Sequence, residues 1–339
     1  MKYHKLQSEG WNDVGFHGNN VISTPNIDAL AYSGVILNNY YVQPLCTPSR
    51  SAFLTGMYPI HTGSATHFVI RAATPYGLPL NYTLFPHYLK RLGYSTKIVG
   101  KWHLGNFRKE YTPTFRDFDS HYGYWTGSKG TVYEAGSGSE SVLPKMDGMN
   151  VWNSIQGNSP SPRNEFVPNI NPILNLASVR VDDWKLLYNP IDLPVTDSNF
   201  NFWFGPSERD FPRNKYSCSK ENDFKDVKNS LAGRTVQKLM PNIFKNIHKI
   251  RKNAEVLCTE VPENATATCN DPSNPCLFNI ASDPCEYFDV SKSHPAIVKL
   301  LQNRLQFYNS TAIPPGNKPE DPRANPIFWN NTWTTGLIT

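Results

Sequence analysis

Residues 46–56 have the sequence Cys-Thr-Pro-Ser-Arg-Ser-Ala-Phe-Leu-Thr-Gly. A Thr followed by a Pro predicts the N-cap and first residue of a helix, and Gly56 predicts its end. Cys46 should then lie in the loop just before the helix, where free backbone N–H groups attract an anion such as sulfate or phosphate. Arg50, in the first turn, supports a charged group at Cys46. The alternative is a buried Cys before an ordinary helix.

Helices and strands alternate on both sides of this stretch. The predicted elements are a helix at 25–33, a strand at 35–42, a helix at 83–92 and a strand at 95–99. Such alternation predicts a parallel sheet with helices on its faces. Ligands of these sheets bind beyond the carboxyl ends of the strands, where both Cys46 and Lys101 fall.

Residues 100–105 have the sequence Gly-Lys-Trp-His-Leu-Gly. Lys101 and His103 are two apart on a segment expected to be extended, so they should face the same way. A Lys can bind sulfate oxygens and a His can transfer protons. The alternative is a surface Lys and a hydrogen-bonded His without a role in chemistry.

The two stretches together resemble a known family. Cys-x-Pro-Ser-Arg followed by Leu-Thr-Gly looks like the sulfatase signature, and Gly-Lys-Trp-His-Leu-Gly looks like the second sulfatase signature. The surrounding residues 10–63 are most similar to the arylsulfatase B (N-acetylgalactosamine-4-sulfatase) group. The resemblance implies an α/β, alkaline-phosphatase-like fold with a mostly parallel sheet and helices on both faces. It also implies a small C-terminal antiparallel sheet with a packed helix.

This resemblance implies a sulfuric ester hydrolase that acts on aryl or sugar sulfates, including glycosaminoglycans. In the family, a formylglycine-generating enzyme oxidises the motif Cys, here Cys46, to formylglycine, and the hydrated aldehyde attacks sulfur. Arg50 and His103 would be catalytic, and Lys101 would contact the sulfate. A phosphatase or phosphotransferase of the related fold is an alternative, which the Cys-x-Pro-Ser-Arg motif disfavours.

The resemblance also implies calcium beside the formylglycine at Cys46, bound by hard oxygen ligands. The family's consecutive Asp pair corresponds here to Gln7 and Ser8, followed by Glu9, and the chain has no Asp-Asn-Gly motif. Loss of the cation would remove several kcal/mol of transition-state stabilisation. The alternative function is therefore a catalytically impaired, truncated or glycan-binding sulfatase-like protein that keeps Cys46, Arg50, Lys101 and His103 but lacks most of the calcium site.

Four segments are predicted along the chain. They are the N-terminal part of the catalytic domain at 1–134, a linker or deletion junction at 135–145, the end of the catalytic domain at 146–175 and a C-terminal subdomain at 176–339. Central strands of the sheet would be missing at the junction. The last segment should contain a hairpin at 178–188, a strand at 276–280, a helix at 294–308 and a basic insertion at about 189–271. A basic helix at 242–257 could bind a sulfated glycan or simply be a solvated face.

Composition and cysteine usage indicate a compartment outside the cytosol. The net charge of +5, from 33 basic and 28 acidic residues, implies neither nucleic acid nor membrane, and no apolar run predicts a membrane span. No signal peptide is expected at the start, so a lost N-terminus is hypothesised, with a lysosomal or secreted location implied by the family. The candidate glycosylation sites are Asn81, Asn264, Asn309 and Asn330. Among the late cysteines, Cys276–Cys285 is the predicted disulfide, with Cys258 and Cys269 as equally plausible partners.

Overall fold

The structure is a computed structural model. It describes residues 11–18, 23–43, 45–64, 69–71, 73–127, 132–135, 146–157, 159–173, 175–188, 223–256, 258, 261–267, 269, 274–316 and 318–330. The chain forms two compact units, here called the first unit (1–40, 191–268 and 278–289) and the second unit (41–190, 269–277 and 290–339). The segment boundaries expected from the sequence remain predictions.

The first unit is helical. Its helices are α1 (Pro25–Ser33), α5 (Asp223–Asn229), α6 (Leu231–Leu239) and α7 (Ile247–Ala254). They enclose a core that is built on Ala29, Tyr32, Val227, Phe244 and Ile247. The bounds of α1 confirm the predicted first helix, which ends before Gly34.

Two sequence-based predictions in the first unit are wrong in part or in full. The predicted strand at 35–42 is irregular: Val35 is 59% and Tyr40 63% exposed, because strand-forming side chains need a pairing partner to form a ladder. The helix predicted at 242–257 starts only at Ile247. Residues 241–246 instead form turns, with bonds such as that from Lys245 N–H to the Asn242 carbonyl.

The second unit contains a three-stranded sheet with the order β1-β2-β3. Its strands are β1 (Lys97–Lys101), β2 (Ser120–Tyr124) and β3 (Val132–Ala135), with the helices α2 (Cys46–Thr55) and α3 (Phe85–Arg91) in the same unit. β1 and β2 are parallel, whereas β2 and β3 are antiparallel. Strand β1 begins two residues later than predicted, because the Thr96 N–H bonds to the Asp119 carboxylate before the ladder begins.

Two glycines face each other across the parallel strands β1 and β2. Gly100 and Gly123 are register partners, and Gly100 has a φ of 113°. A Cβ added at Gly123 would lie 1.8 Å from the Gly100 carbonyl oxygen. Only glycine fits at residue 123, so this contact sets the spacing of β1 and β2.

A second, antiparallel sheet has the order β4-β5-β6-β7. Its strands are β4 (Glu165–Asn171), β5 (Leu176–Val181), β6 (Trp184–Tyr188) and β7 (Cys276–Asn279). The first two residues of β7 belong to the second unit. A short helix, α4 (Trp152–Ile155), precedes the sheet in sequence. The long helix α8 (Pro295–Ser310) packs on this sheet through Leu301, in one core with Val179 and Leu186. The predicted hairpin, strand and helix are confirmed, as is the α/β fold class with a small antiparallel sheet and packed helix.

The disulfides join Cys285 and Cys276 to the alternative partners, Cys258 and Cys269, and not to each other. The bonds are Cys258–Cys285 within the first unit and Cys269–Cys276 within the second, with Cα atoms 5.6 and 5.5 Å apart. The predicted Cys276–Cys285 bond is therefore wrong, because each of these residues has another cysteine within bonding distance. In the part of the chain that the structure describes, no helix is long and apolar enough to cross a bilayer.

Candidate active site

Helix α2 begins two residues earlier than the sequence suggests. Cys46 is its first residue, Leu45 is the N-cap, and the Ser49 N–H bonds to the Leu45 carbonyl at 3.1 Å. Cys46 therefore lies in the first turn and not in the preceding loop, and its thiol is partly buried. Gly56 ends the helix with a φ of 69°, as predicted.

Lys101, the last residue of β1, reaches the start of α2. Its Nζ lies 2.9 Å from Cys46 Sγ, so the structure brings together one residue from each of the two motifs. An ammonium group and the first turn of a ten-residue helix then face the same side chain. This arrangement favours an anion bound at Cys46.

Arg50 connects the same two elements through the backbone. Its Nη1 donates to the Lys101 carbonyl and lies 3.5 Å from the Trp102 carbonyl. Burial lowers the pKa of the guanidinium, and Cys46 and Tyr124 partly offset this effect. Arg50 thus adds positive charge near Cys46 and also fixes the end of β1 against α2.

Thr47, which was predicted only as an N-cap, has a different part in the site. Its hydroxyl donates to the His103 carbonyl at 3.1 Å and accepts the Ile70 N–H at 3.1 Å. The side chain is buried. Three separate segments are therefore joined by one hydroxyl group, a role for which the spacing of the motif gave no signal.

His103 does not continue the strand. Its φ of 61° turns the chain, so the prediction that Lys101 and His103 share one face of an extended segment is wrong. The ring is 2% exposed, and Nε2 lies 2.7 Å from the Ile70 carbonyl oxygen. Because a carbonyl can only accept, Nε2 holds the proton and Nδ1 has the lone pair.

The His103 ring is neutral at physiological pH. Burial, followed by the charges of Lys101 and Arg50, lowers its pKa from 6.5 to about 4, although the Ile70 carbonyl acts in the opposite direction. Nδ1 is buried without a hydrogen-bond partner among the described residues. A Cβ at Gly127 would come within 3.0 Å of His103 Cε1, so the missing side chain leaves room for the ring.

A cleft of about 320 Å³ adjoins the residues that hold His103. Thr47 and Ile70 form part of its wall, and its other lining residues include Arg71, Tyr76 and Lys318. Its volume lies at the lower end of the range of small-molecule sites, about 300–1,000 Å³.

The described residues do not supply a calcium site. No group of three or more His, Cys, Asp or Glu side chains that could hold a metal occurs in the described ranges. The side chain that contacts Cys46 there is the cationic Lys101, which opposes a second cation. Gln7, Ser8 and Glu9, the positions implied for metal ligands, lie outside the described residues.

The sequence profile of the sulfatase family matches residues 6–142. Mouse (Mus musculus) arylsulfatase J is 55% identical over 120 residues, which are 35% of this chain and 20% of that protein. Human (Homo sapiens) N-acetylgalactosamine-6-sulfatase is 43% identical over 125 residues, or 35% and 24% of the two chains. The match thus spans about a fifth to a quarter of these curated relatives.

Similar solved structures extend over most of the chain. One is a structure described in connection with the metabolism of multiple glycosaminoglycans by Bacteroides thetaiotaomicron. The two chains superpose with a TM-score of 0.52 at 13% sequence identity, and the alignment covers 90% of this chain and 98% of the other. At this identity the likeness concerns the fold alone. Residues 6–142 are thus similar to the sulfatase family, and the solved structures add a likeness of fold. The narrower resemblance to the arylsulfatase B group remains a prediction.

Proposed function

We propose that the protein hydrolyses aryl or sugar sulfate esters, with Cys46, after oxidation to formylglycine, as the nucleophilic position. The observation that carries this proposal is the 2.9 Å contact between Lys101 Nζ and Cys46 Sγ at the first turn of α2. The family relationship supports the same reaction class. A separate formylglycine-generating enzyme would be the partner that modifies Cys46.

The residues around Cys46 would bind and polarise the sulfate. The Lys101 ammonium can donate to the sulfate oxygens, and the α2 N-terminus adds backbone N–H groups and a positive dipole. Arg50 fixes the Lys101 backbone, so the ammonium is positioned before the substrate arrives. The cleft beside Thr47 and Ile70 offers space for the aryl or sugar part of the ester.

His103 is suited to accept a proton. Its neutral ring has a free lone pair on Nδ1, while the Ile70 carbonyl fixes the opposite nitrogen. The formylglycine would supply the hydrated aldehyde, one hydroxyl to attack sulfur and the other to help expel sulfate. We assign His103 the proton transfers at these hydroxyls.

The family also implies calcium, and we assign no step to it, because the described residues do not form its site. The location that we propose is lysosomal or secreted. Two disulfides support an oxidising compartment. The sequon residues Asn81, Asn264, Asn309 and Asn330, which we propose are glycosylated, are all exposed.

A second candidate function is binding of sulfated ligands with little or no turnover. It is favoured by one sequence feature: Gln7 and Ser8 occupy the positions at which the family has an acidic pair. Neutral amide and hydroxyl groups hold a divalent cation more weakly than carboxylates do.

The deciding experiment combines mass spectrometry with an activity assay. The chain is produced in secretory cells that modify other sulfatases, and the peptide containing Cys46 is analysed while hydrolysis of an aryl sulfate is measured. Formylglycine at residue 46 and turnover that Cys46→Ser abolishes would support the hydrolase. An unmodified thiol, or turnover that survives in Cys46→Ser, would overturn it.

The same preparation separates the two candidates. Complete modification without turnover would favour the binding protein. In that case, joint replacement Gln7→Asp and Ser8→Asp should raise calcium-dependent turnover, whereas Gln7→Glu and Ser8→Thr, which supplies only one carboxylate, should do less.

A further inference from the structure

The positive charge of the chain is concentrated in one helical segment. Residues 223–256, which contain α5, α6 and α7, hold eight Lys and Arg against three Asp and Glu. The resulting net charge of +5 equals that of the entire chain of 339 residues. The remainder of the chain is therefore formally neutral. Residues 223–256, called here the basic segment, supply the net positive charge of the whole protein.

Most of these cations face solvent. The seven exposed ones are Lys225, Lys228, Arg234, Lys238, Lys245, Lys249 and Lys252. Among the described residues none of them forms an ion pair. The eighth, Arg251, is only partly exposed and contacts the Tyr32 hydroxyl at 3.2 Å and Glu255 at 3.9 Å.

The spacing of the cations places them on the outer faces of their helices. Lys225 and Lys228 are three residues apart in α5, Arg234 and Lys238 are four apart in α6, and Lys249 and Lys252 are three apart in α7, whereas Lys245 lies in the turn before α7. Residues at these intervals lie on one side of a helix. Other side chains of the same helices, Val227, Phe224 and Ile247, contribute to the core of the first unit.

We propose that the basic segment binds a sulfated polysaccharide. Like charges three or four residues apart destabilise a helix. Rows of unpaired ammonium groups instead match the regular negative charges of a polyanion, whose binding would release counterions. This binding depends on charge in the first unit alone and goes beyond the hydrolysis proposed for Cys46.

Two other polyanions fit less well. The disulfide Cys258–Cys285 in the same unit indicates an oxidising compartment, which contains neither nucleic acid nor the anionic cytoplasmic leaflet of a membrane. A membrane-surface helix also needs a continuous apolar face. In the basic segment the large exposed apolar side chains, within the described residues, are Leu231, Leu239 and Met240, in α6 or directly after it.

The test compares two triple variants of equal net charge. The first, Lys245→Gln/Lys249→Gln/Lys252→Gln, changes the basic segment, and the second, Lys97→Gln/Lys292→Gln/Lys299→Gln, changes exposed lysines of the second unit. Binding to chondroitin sulfate is measured as a function of salt. We expect about a tenfold loss of affinity in the first variant, since each exposed ion pair is worth a few-fold, and little change in the second.

Further measurements make each outcome decisive. Lys→Arg replacements at 245, 249 and 252 should restore binding, and chemically desulfated chondroitin should bind weakly. Equal affinity of the two Gln variants, or binding that salt does not weaken, would overturn the proposal. Tighter binding to phosphatidylserine vesicles or single-stranded DNA would do the same. Aryl sulfate turnover should be unchanged in both Gln variants, which separates this result from the test of Cys46.

Discussion

The two units use positive charge in opposite ways. In the second unit the cations at the site have defined partners: Lys101 contacts the Cys46 thiol, and Arg50 bonds to backbone carbonyls. In the first unit the basic segment exposes seven cations without ion pairs among the described residues. Directed and partly buried charge suits chemistry at one atom, whereas distributed charge suits reversible binding along a polymer.

The contrast has an energetic side. A partly buried group that loses its partner leaves a desolvated neighbour unsatisfied, so one substitution has a large effect. An exposed charge is screened by water and salt, and its removal changes stability little. Four substitutions or titrations, taken from the largest expected effect to the smallest, test this difference.

Lys101→Ala should have the largest effect. Loss of the ammonium at Cys46 should lower kcat for an aryl sulfate by about 10²–10³-fold, the size seen when one transition-state hydrogen-bond donor is removed. The midpoint of thermal unfolding should also fall, because loss of the half-buried ammonium leaves Cys46 Sγ without its partner. Lys101→Arg, as the matched control, should keep part of the activity. Full activity in Lys101→Ala would show that the ammonium does not contact the sulfate.

Acid should destabilise the second unit through His103. Its pKa is lowered from 6.5 to about 4 in the folded chain, so the unfolded chain binds the proton first as the pH falls. The stabilisation is complete above about pH 6.5 and is lost towards pH 4, by about 3 kcal/mol for a shift of this size. Urea unfolding of the wild type and of His103→Gln, measured at both pH values, checks this prediction. Identical pH dependence in the two proteins would contradict it.

Thr47→Val should lower the free energy of unfolding by less than the protonation of His103 does. The Ile70 N–H would lose its acceptor and the His103 carbonyl its donor, while the shape of the side chain is kept. Leaving a buried polar group unsatisfied costs about 1–3 kcal/mol in the free energy of unfolding. Thr47→Ser retains the hydroxyl and should lose much less in the same denaturation experiment. Equal losses in the two variants would indicate that packing, rather than the hydroxyl, matters.

Lys249→Gln should have the smallest effect on stability. Its exposed ammonium has no ion-pair partner among the described residues, so the free energy of unfolding should change by less than about 0.5 kcal/mol. Affinity for chondroitin sulfate should still fall two- to three-fold, by the ion-pair magnitudes typical of surfaces. A stability loss as large as that of Thr47→Val would remove the distinction between the two units.

Local sequence signals predicted the elements that depend on local chemistry. Gly56 ends α2, Gly34 follows α1, and the apolar spacing within residues 294–308 gave α8. The two motifs also predicted that Cys46 and Lys101 lie close together. The helix ends and α8 depend on the residues of one stretch, and the proximity of Cys46 and Lys101 follows from the rule that ligands bind at the carboxyl ends of parallel strands.

The failures concern partners that lie far away in sequence. The 35–42 stretch has strand-forming residues but gains no ladder, and the φ of 61° at His103 accompanies bonds to Ile70 and Thr47. Disulfide connectivity likewise depends on which Cα atoms the fold brings together. Sequence periodicity carries no information on such pairings.

The contact between Gly100 and Gly123 limits which substitutions this protein tolerates. A methyl group at residue 123 would overlap the facing carbonyl, so no other amino acid can replace Gly123 while β1 stays in place. Gly148, at which a Cβ would lie 3.5 Å from its nearest neighbour, has no such restriction. Substitutions around Lys101 are therefore compatible with the fold, but Gly123 on the neighbouring strand has to stay glycine if β1 is to hold Lys101 beside Cys46.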